Sequence, residues 1–293
     1  MMVFPRRVVT LSLEGAWLRL LGVRGREVEF WADIPFDERL LQHGQVGDTQ
    51  ALGALIGETF RSRGLPRSRV VAAVSGLGAV SRIVTLTTPG VSLAEAVERE
   101  ARKVLPESLV EVTLYWQAID PRASAAPRVF LLALPREALA RVIEMFQVAG
   151  IQPVALDLKP LALYRAVACK DAIVANVDGQ TLDIVIVVDD LPALLRTISL
   201  GDGAGSRDFV IGRLTDELAR TVRYYNDTNR ATALPMDAPI VLAGEEVADP
   251  ALGANLEALT GHPVQPPRPP LDYPADFPVE RYLVNVGLAL KSL

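Results

Sequence analysis

Residues 172–205 read AIVANVDGQTLDIVIVVDDLPALLRTISLGDGAG, three Val- and Ile-rich runs broken by Asp178-Gly179, by Asp189-Asp190 and by a glycine-rich exit. Ala172 to Val177 and Leu182 to Val188 are too short for helices, so they predict the two strands of a hairpin. Leu191 to Leu200 adds a third strand, opened by Pro192 where a missing N–H removes no ladder bond. A three-strand antiparallel meander running directly into a helix differs from the strand-helix-strand unit of an ordinary α/β enzyme.

The beginning of the chain repeats this plan. Arg7 to Leu13, Ala16 to Val23 and Glu27 to Trp31 predict a meander turning at Glu14-Gly15 and Arg24-Gly25. Asp48 is placed to cap a helix with Leu52, Leu55, Ile56 and Phe60 on one face, ending at Arg63-Gly64. Arg69 to Val74 follows as a strand. After the second meander come a helix over residues 206–226 and a strand from Ile240 to Ala243. Matching order in the two halves predicts a duplicated α/β core, made of residues 1–75 and 157–293.

Residues 76–156 have a different rhythm and predict an inserted small α+β domain. Its strands are Ala79 to Thr87, Val110 to Ile119, Arg128 to Leu134 and Ile151 to Asp157. Ser92 and Glu95 form a capping-box pair for a helix striped by Leu93, Val97, Ala101 and Val104. Pro135 opens a second helix, with Leu139, Val142, Ile143 and Phe146 inward and a stop at Gly150. At the far end, Asp249 to Thr260 reads as a helix, and the seven prolines within Gly261 to Pro278 as an extended surface loop. The last helix, Val279 to Leu293, carries Gly287 in its interior, which costs about 1 kcal/mol against alanine and so implies a close backbone crossing.

Composition narrows the function. Half of the 293 residues are apolar, the net charge is −5, and Arg and Glu are interspersed, which argues against a nucleic-acid footprint. Arg220, Arg223 and Arg230 read as a solvated helix flank. One cysteine, Cys169, excludes an intrachain disulfide and fits a reducing cytosol; two histidines make a histidine metal cluster an unpromising reading. MMVFPRRVVTLSLEG lacks the apolar region of a signal peptide, and no run approaches the roughly 20 apolar residues of a spanning helix. Membrane association is therefore expected through a partner.

The order of pieces resembles the actin-like (ribonuclease H-like) fold of the PilM and FtsA group, most closely the PilM family of type IV pilus assembly proteins. The stretches that carry the resemblance are VVAAVSGLGAVSRIVTL, AEAVEREARKVLPESLVEV, RVFLLALPREALARVIEMFQVAGIQPVALDLKPLALYRA and the closing VNVGLALKSL. The resemblance implies a cytoplasmic scaffold at the inner face of the cytoplasmic membrane. Its partners would be a PilN-like bitopic membrane protein, held by its cytoplasmic N-terminal tail in a groove beside the insert, and other pilus assembly components.

Proteins of this group clamp ATP and magnesium between two glycine turns. By resemblance the nucleotide-binding positions, if any are retained, are Gly15, Arg19, Asp178, Gly179 and Gly244. The pattern is degraded: Ser12 stands at the acidic position of the first turn and Glu14 at its glycine. Asn176, Asp178 and Leu182 replace the aspartate, glycine and threonine of the second turn. A carboxylate about 4 Å from a phosphate, at an effective dielectric near 20, is repelled by about 4 kcal/mol, close to a thousandfold in affinity. Glu14 would have to turn away or be bridged by a metal, and Asp178 could take over that metal. The subdomain that walls the adenine cleft in the group has no room between Leu200 and the following helix, so the fourth subdomain is largely missing. These departures imply no catalytic residues, no metal site and no cofactor. Two alternatives stand beside this reading: a weak ATP-binding actin-like ATPase, and a cytoplasmic platform component of a type II secretion system.

Overall fold

A computed structural model describes residues 7–86, 92–104, 111–119, 127–201, 206–245, 247 and 249–292. The chain divides into two compact units, one running to Leu77 and resuming at Arg141, the other Gly78–Ala140.

In the first unit, β1 (Arg7–Glu14), β2 (Trp17–Arg24) and β3 (Glu27–Pro35) form the first meander. The short pair β4 (Leu41–Gln42) and β5 (Gln45–Val46) precedes α1 (Thr49–Ser62), whose N-terminus is capped by the Asp48 carboxylate accepting from Ala51 N at 2.9 Å. Next comes β6 (Val70–Val74). In the second unit, β7 (Val80–Thr85), α2 (Leu93–Val104), β8 (Val112–Ala118) and β9 (Arg128–Pro135) make a three-stranded antiparallel sheet, order β7-β9-β8, with one covering helix. The capping box forms as read: Ser92 Oγ accepts from Glu95 N, and the Glu95 carboxylate accepts from Ser92 N at 3.0 Å. The unit boundary falls inside α3 (Arg136–Ala149).

The chain then continues through β10 (Ala155–Leu158), α4 (Lys159–Val167), the second meander β11 (Ala172–Val177), β12 (Thr181–Val188) and β13 (Leu191–Ser199), and α5 (Arg207–Thr228). It closes with β14 (Ile240–Gly244), α6 (Pro250–Thr260), β15 (Val264–Gln265) and α7 (Leu283–Leu290). The glycine-rich exit at 202–205 and the 121–126 loop lie outside the described residues.

The duplication extends further than the sequence periodicity indicates. One sheet is ordered β10-β6-β1-β2-β3 and the other β15-β14-β11-β12-β13. Each is an antiparallel meander extended by two parallel strands. Residues 155–158, assigned from sequence to the insert, pair in parallel with β6 and belong to this core. The compact insert is accordingly Gly78–Ala140 rather than 76–156. The helix α4 went unread because it follows a four-residue strand without a polar break; Pro160 in its first turn is its main start signal.

Helices α4 and α7, the last elements of each repeat, pack on one another and share a core cluster with both sheets, including Val8, Leu21, Val174 and Val185. Gly287 explains the tightness: a Cβ there would overlap the carbonyl of Ala162 in α4, and Arg165 Nη1 donates to the Gly287 carbonyl at 2.8 Å. The outer face of each sheet is covered by its own helices, α1 and α3 on the first, α5 and α6 on the second. The proline-rich segment is irregular, but it is not simply a surface loop. Leu271 and Phe277 are buried, and Val28 N donates to Asp272 O at 2.8 Å along the edge of the first sheet. The final helix is shorter than expected, since Pro278 and the turn through Tyr282 precede it.

Candidate functional site

The β1–β2 turn and the β11–β12 turn occupy equivalent places in the two repeats, and their backbones touch. Gly15 has φ +58° and Gly179 φ +88°, conformations that favour glycine. A Cβ on Gly15 would collide with the carbonyl oxygen of Asp178, and one on Gly179 would lie 3.6 Å from Gly15 Cα. Asp178 shapes its own turn, Oδ1 accepting from Gln180 N at 3.1 Å and from Thr181 N at 2.7 Å.

Side chains behind the turns form two buried ion clusters. Arg19, 1% exposed, sends Nη1 to Glu14 at 3.0 Å and Nη2 to Glu245 at 2.7 Å, with Nε 3.3 Å from Asp33. Burial works against the guanidinium's charge, yet Glu14, Glu245 and Asp33 outweigh it and hold its pKa above the ordinary value. Ser12 Oγ donates to Glu14 at 2.6 Å and lies 2.9 Å from Asn285 Oδ1; the Asn285 amide donates to Thr10 Oγ1 and Arg19 O. Glu14 therefore neither turns away nor requires a metal; Arg19 bridges it.

The second cluster centres on Lys159, the first residue of α4 and 2% exposed. Its ammonium is paired with the Asp178 carboxylate and lies 3.7 Å from Asp183. Burial opposes the charge, but Asp178, Asp183 and Glu14 raise the lysine's pKa. Asp183, wholly buried, accepts from Thr197 Oγ1 at 2.5 Å and from the Asn176 amide at 3.5 Å. Burial pushes its pKa up; Lys159 pulls it down and Asp178 adds to the rise.

Asp178, Gly179, Gly15 and Arg19 thus come together, though in a geometry unlike an anion clamp. Asp178, read from sequence as a possible metal ligand, is committed through both oxygens to its turn and to Lys159. Gly244 lies beside the second turn, paired in parallel with Val177, the residue before Asp178; its φ is +109°, and a Cβ would strike the Val177 backbone. Lys159 escaped the sequence reading. The available signal was a single lysine inside the apolar run ALDLKPLALYRAVA, a charge that burial tolerates only when paired.

Five carboxylates, Glu14, Asp33, Asp178, Asp183 and Glu245, face three cations, Arg19, Lys159 and Arg281. Among the described residues no group of three or more His, Cys, Asp or Glu is arranged to hold a metal ion. The two turns are in backbone contact, and the carboxylates around them outnumber the cations. These residues do not fit a magnesium nucleotide.

Two meander-led repeats of equal strand order, joined through a crossed helix pair, define a protein of the actin-like class. The chain belongs to the type IV pilus assembly protein PilM family, whose profile matches residues 21–204, more than half of its length. Among curated proteins nothing matches. Among solved structures it is similar to a PilM-PilN type IV pilus biogenesis complex, with 23% identity, 97% of this chain and 98% of that chain covered, and a TM-score of 0.76. It is also similar to the ethanolamine utilization protein EutJ from Carboxydothermus hydrogenoformans, at 14% identity, 98% and 90% coverage and TM-score 0.53. The cytoplasmic domain of EpsL, an inner membrane component of the type II secretion system of Vibrio cholerae, matches at 10% identity, 98% and 94% coverage and TM-score 0.53. At these identities the structural likenesses speak to the fold; family membership rests on the profile.

Proposed function

We propose that this chain is a non-catalytic adaptor of a type IV pilus inner-membrane assembly complex. It binds the cytoplasmic N-terminal tail of a PilN-like bitopic membrane protein, sits at the inner face of the cytoplasmic membrane through that partner, and does not hydrolyse ATP. The observation that carries the reading is the contact of Gly15 with the Asp178 backbone, with Arg19 and Lys159 spent on internal carboxylates. Family membership and the likeness to a solved PilM-PilN complex support the choice of partner. Among the described residues no helix is long and apolar enough to cross a membrane, which is consistent with attachment through another protein.

An extended tail would gain affinity from main-chain pairing and selectivity from side-chain pockets. Within the Gly78–Ala140 unit, β8 is an edge strand presenting Tyr115 and Trp116 in part to solvent, a surface suited to that mode. The test is calorimetry with a synthetic N-terminal tail of a PilN-like protein from the same source, and separately with ATP and magnesium. Saturable binding of the tail with no heat from the nucleotide is expected. Failure of the tail to bind at high micromolar concentration would overturn the partner, and magnesium-dependent ATP binding lost in Asp178→Ala would restore the ATPase reading.

A further inference from the structure

Beyond the two turns, a cavity of about 740 Å³ opens between β14, α6, the strand β15 with the two prolines after it, and the segment leading into α7. Val264, Pro266 and Pro267 give it an apolar wall. Among the described residues its charged lining is Glu245, Asp249, Glu257, Glu280 and Arg281, of which Asp249 caps α6 through Ala251 N and pairs with Arg207 at 3.3 Å. Two of these acids have capacity to spare. One oxygen of Glu257 accepts from Val264 N at 2.7 Å, leaving the other open, and the exposed Glu280 carboxylate makes no hydrogen bond or ion pair among the described residues. Glu245 is engaged by Arg19 and lies 3.7 Å from Arg281.

We propose that this cavity is a docking site for an arginine side chain presented by an extended segment of a partner protein. An arginine has an apolar stem that lies against proline rings and a guanidinium fork that pairs with carboxylates, which matches wall and rim together. A nucleoside phosphate has the wrong sign for this rim. The inference is independent of where the PilN-like tail binds.

The probe is a fluorescein-labelled peptide of sequence Gly-Pro-Arg-Arg-Pro-Gly, titrated with the full chain at low salt, beside the same peptide with citrulline for arginine. Saturable anisotropy is expected for the arginine peptide, and at least about tenfold weaker binding for the citrulline peptide, which keeps shape and loses charge. Glu280→Gln, on an exposed side chain that the fold does not use, should weaken the arginine peptide about threefold, and Glu280→Lys about tenfold. Amide shifts in the labelled protein should centre on Gly244 and Gly253. Equal binding of the two peptides, no binding at millimolar protein, or shifts centred elsewhere would overturn the proposal. So would saturable adenosine or ATP binding at Gly244 and Gly253, which would assign the cavity to a nucleoside.

Discussion

Gly15 and Asp178 lie backbone against backbone, each at the tip of the hairpin that opens its repeat, and this contact ties the first half of the core to the second. The tie needs a residue without a side chain at position 15, both for its φ of +58° and for the space occupied by the Asp178 carbonyl.

Gly15→Ala tests the contact directly. The positive φ alone costs an L-residue about 1 kcal/mol, and displacing a packed carbonyl adds about 1–3 kcal/mol. Urea denaturation should show a loss of about 2–4 kcal/mol, with an unchanged slope. A variant as stable as the parent would mean that the two turns do not meet in solution.

Lys159 should be among the most sensitive single charges in the chain. Lys159→Met leaves Asp178 and Asp183 buried with their cation removed, and breaking a buried pair from one side costs about 3–5 kcal/mol. Adding Asp178→Asn, which retains the oxygen that caps the turn, should recover part of the loss. A double variant less stable than Lys159→Met alone would show that the aspartate serves the turn and not the ion pair.

Much of this architecture is legible in the sequence because local signals and tertiary demands agree. Both meanders, the Asp48 cap, the Ser92–Glu95 capping box and the Asp189-Asp190 turn, where both φ values are positive, follow from turn chemistry and period-two patterning. What escaped is what depends on distant partners. The strand ending at Asp157 was legible but its place in the core was not, since its parallel pairing with β6 decides that, and α4 carries no side-chain cap at its N-terminus. The candidate site was legible only in part. The sequence marks Glu14 as hostile to phosphate and Asp178 as a possible metal ligand. It cannot show that Arg19 and Lys159 pair with them, since the β1–β2 register and the placement of α4 against the second meander decide those contacts, and Glu245 joins Arg19 from 226 positions away.

Gly287→Ala sets helix propensity against packing. The substitution gains about 1 kcal/mol in an isolated helix, whereas here the new methyl overlaps the backbone of Ala162 and forces α4 and α7 apart. A net loss of about 1–3 kcal/mol is expected by thermal or urea unfolding. Stabilisation would mean that the two helices are not in the close contact described.

Asp183 provides a pH signature that separates the buried cluster from the rest of the chain. Its carboxyl is raised above the ordinary aspartate value of 3.8 by burial, so the folded state holds the proton more tightly than the unfolded chain does. A raised folded pKa means that the contribution is favourable below the unfolded value and is lost as pH rises through the folded one. Other carboxylates titrate in the same interval, so the measurable quantity is the difference between the parent and Asp183→Asn, whose amide side chain is neutral at every pH. As pH rises from about 4 towards neutrality, the stability of the parent should fall relative to the variant, and the difference should level off once Asp183 is ionised. Because Lys159 stays charged throughout this interval, the trend reports the aspartate alone. A difference that grows in favour of the parent with rising pH would show that Lys159 outweighs burial, and would place the ammonium closer to Asp183 than to Asp178.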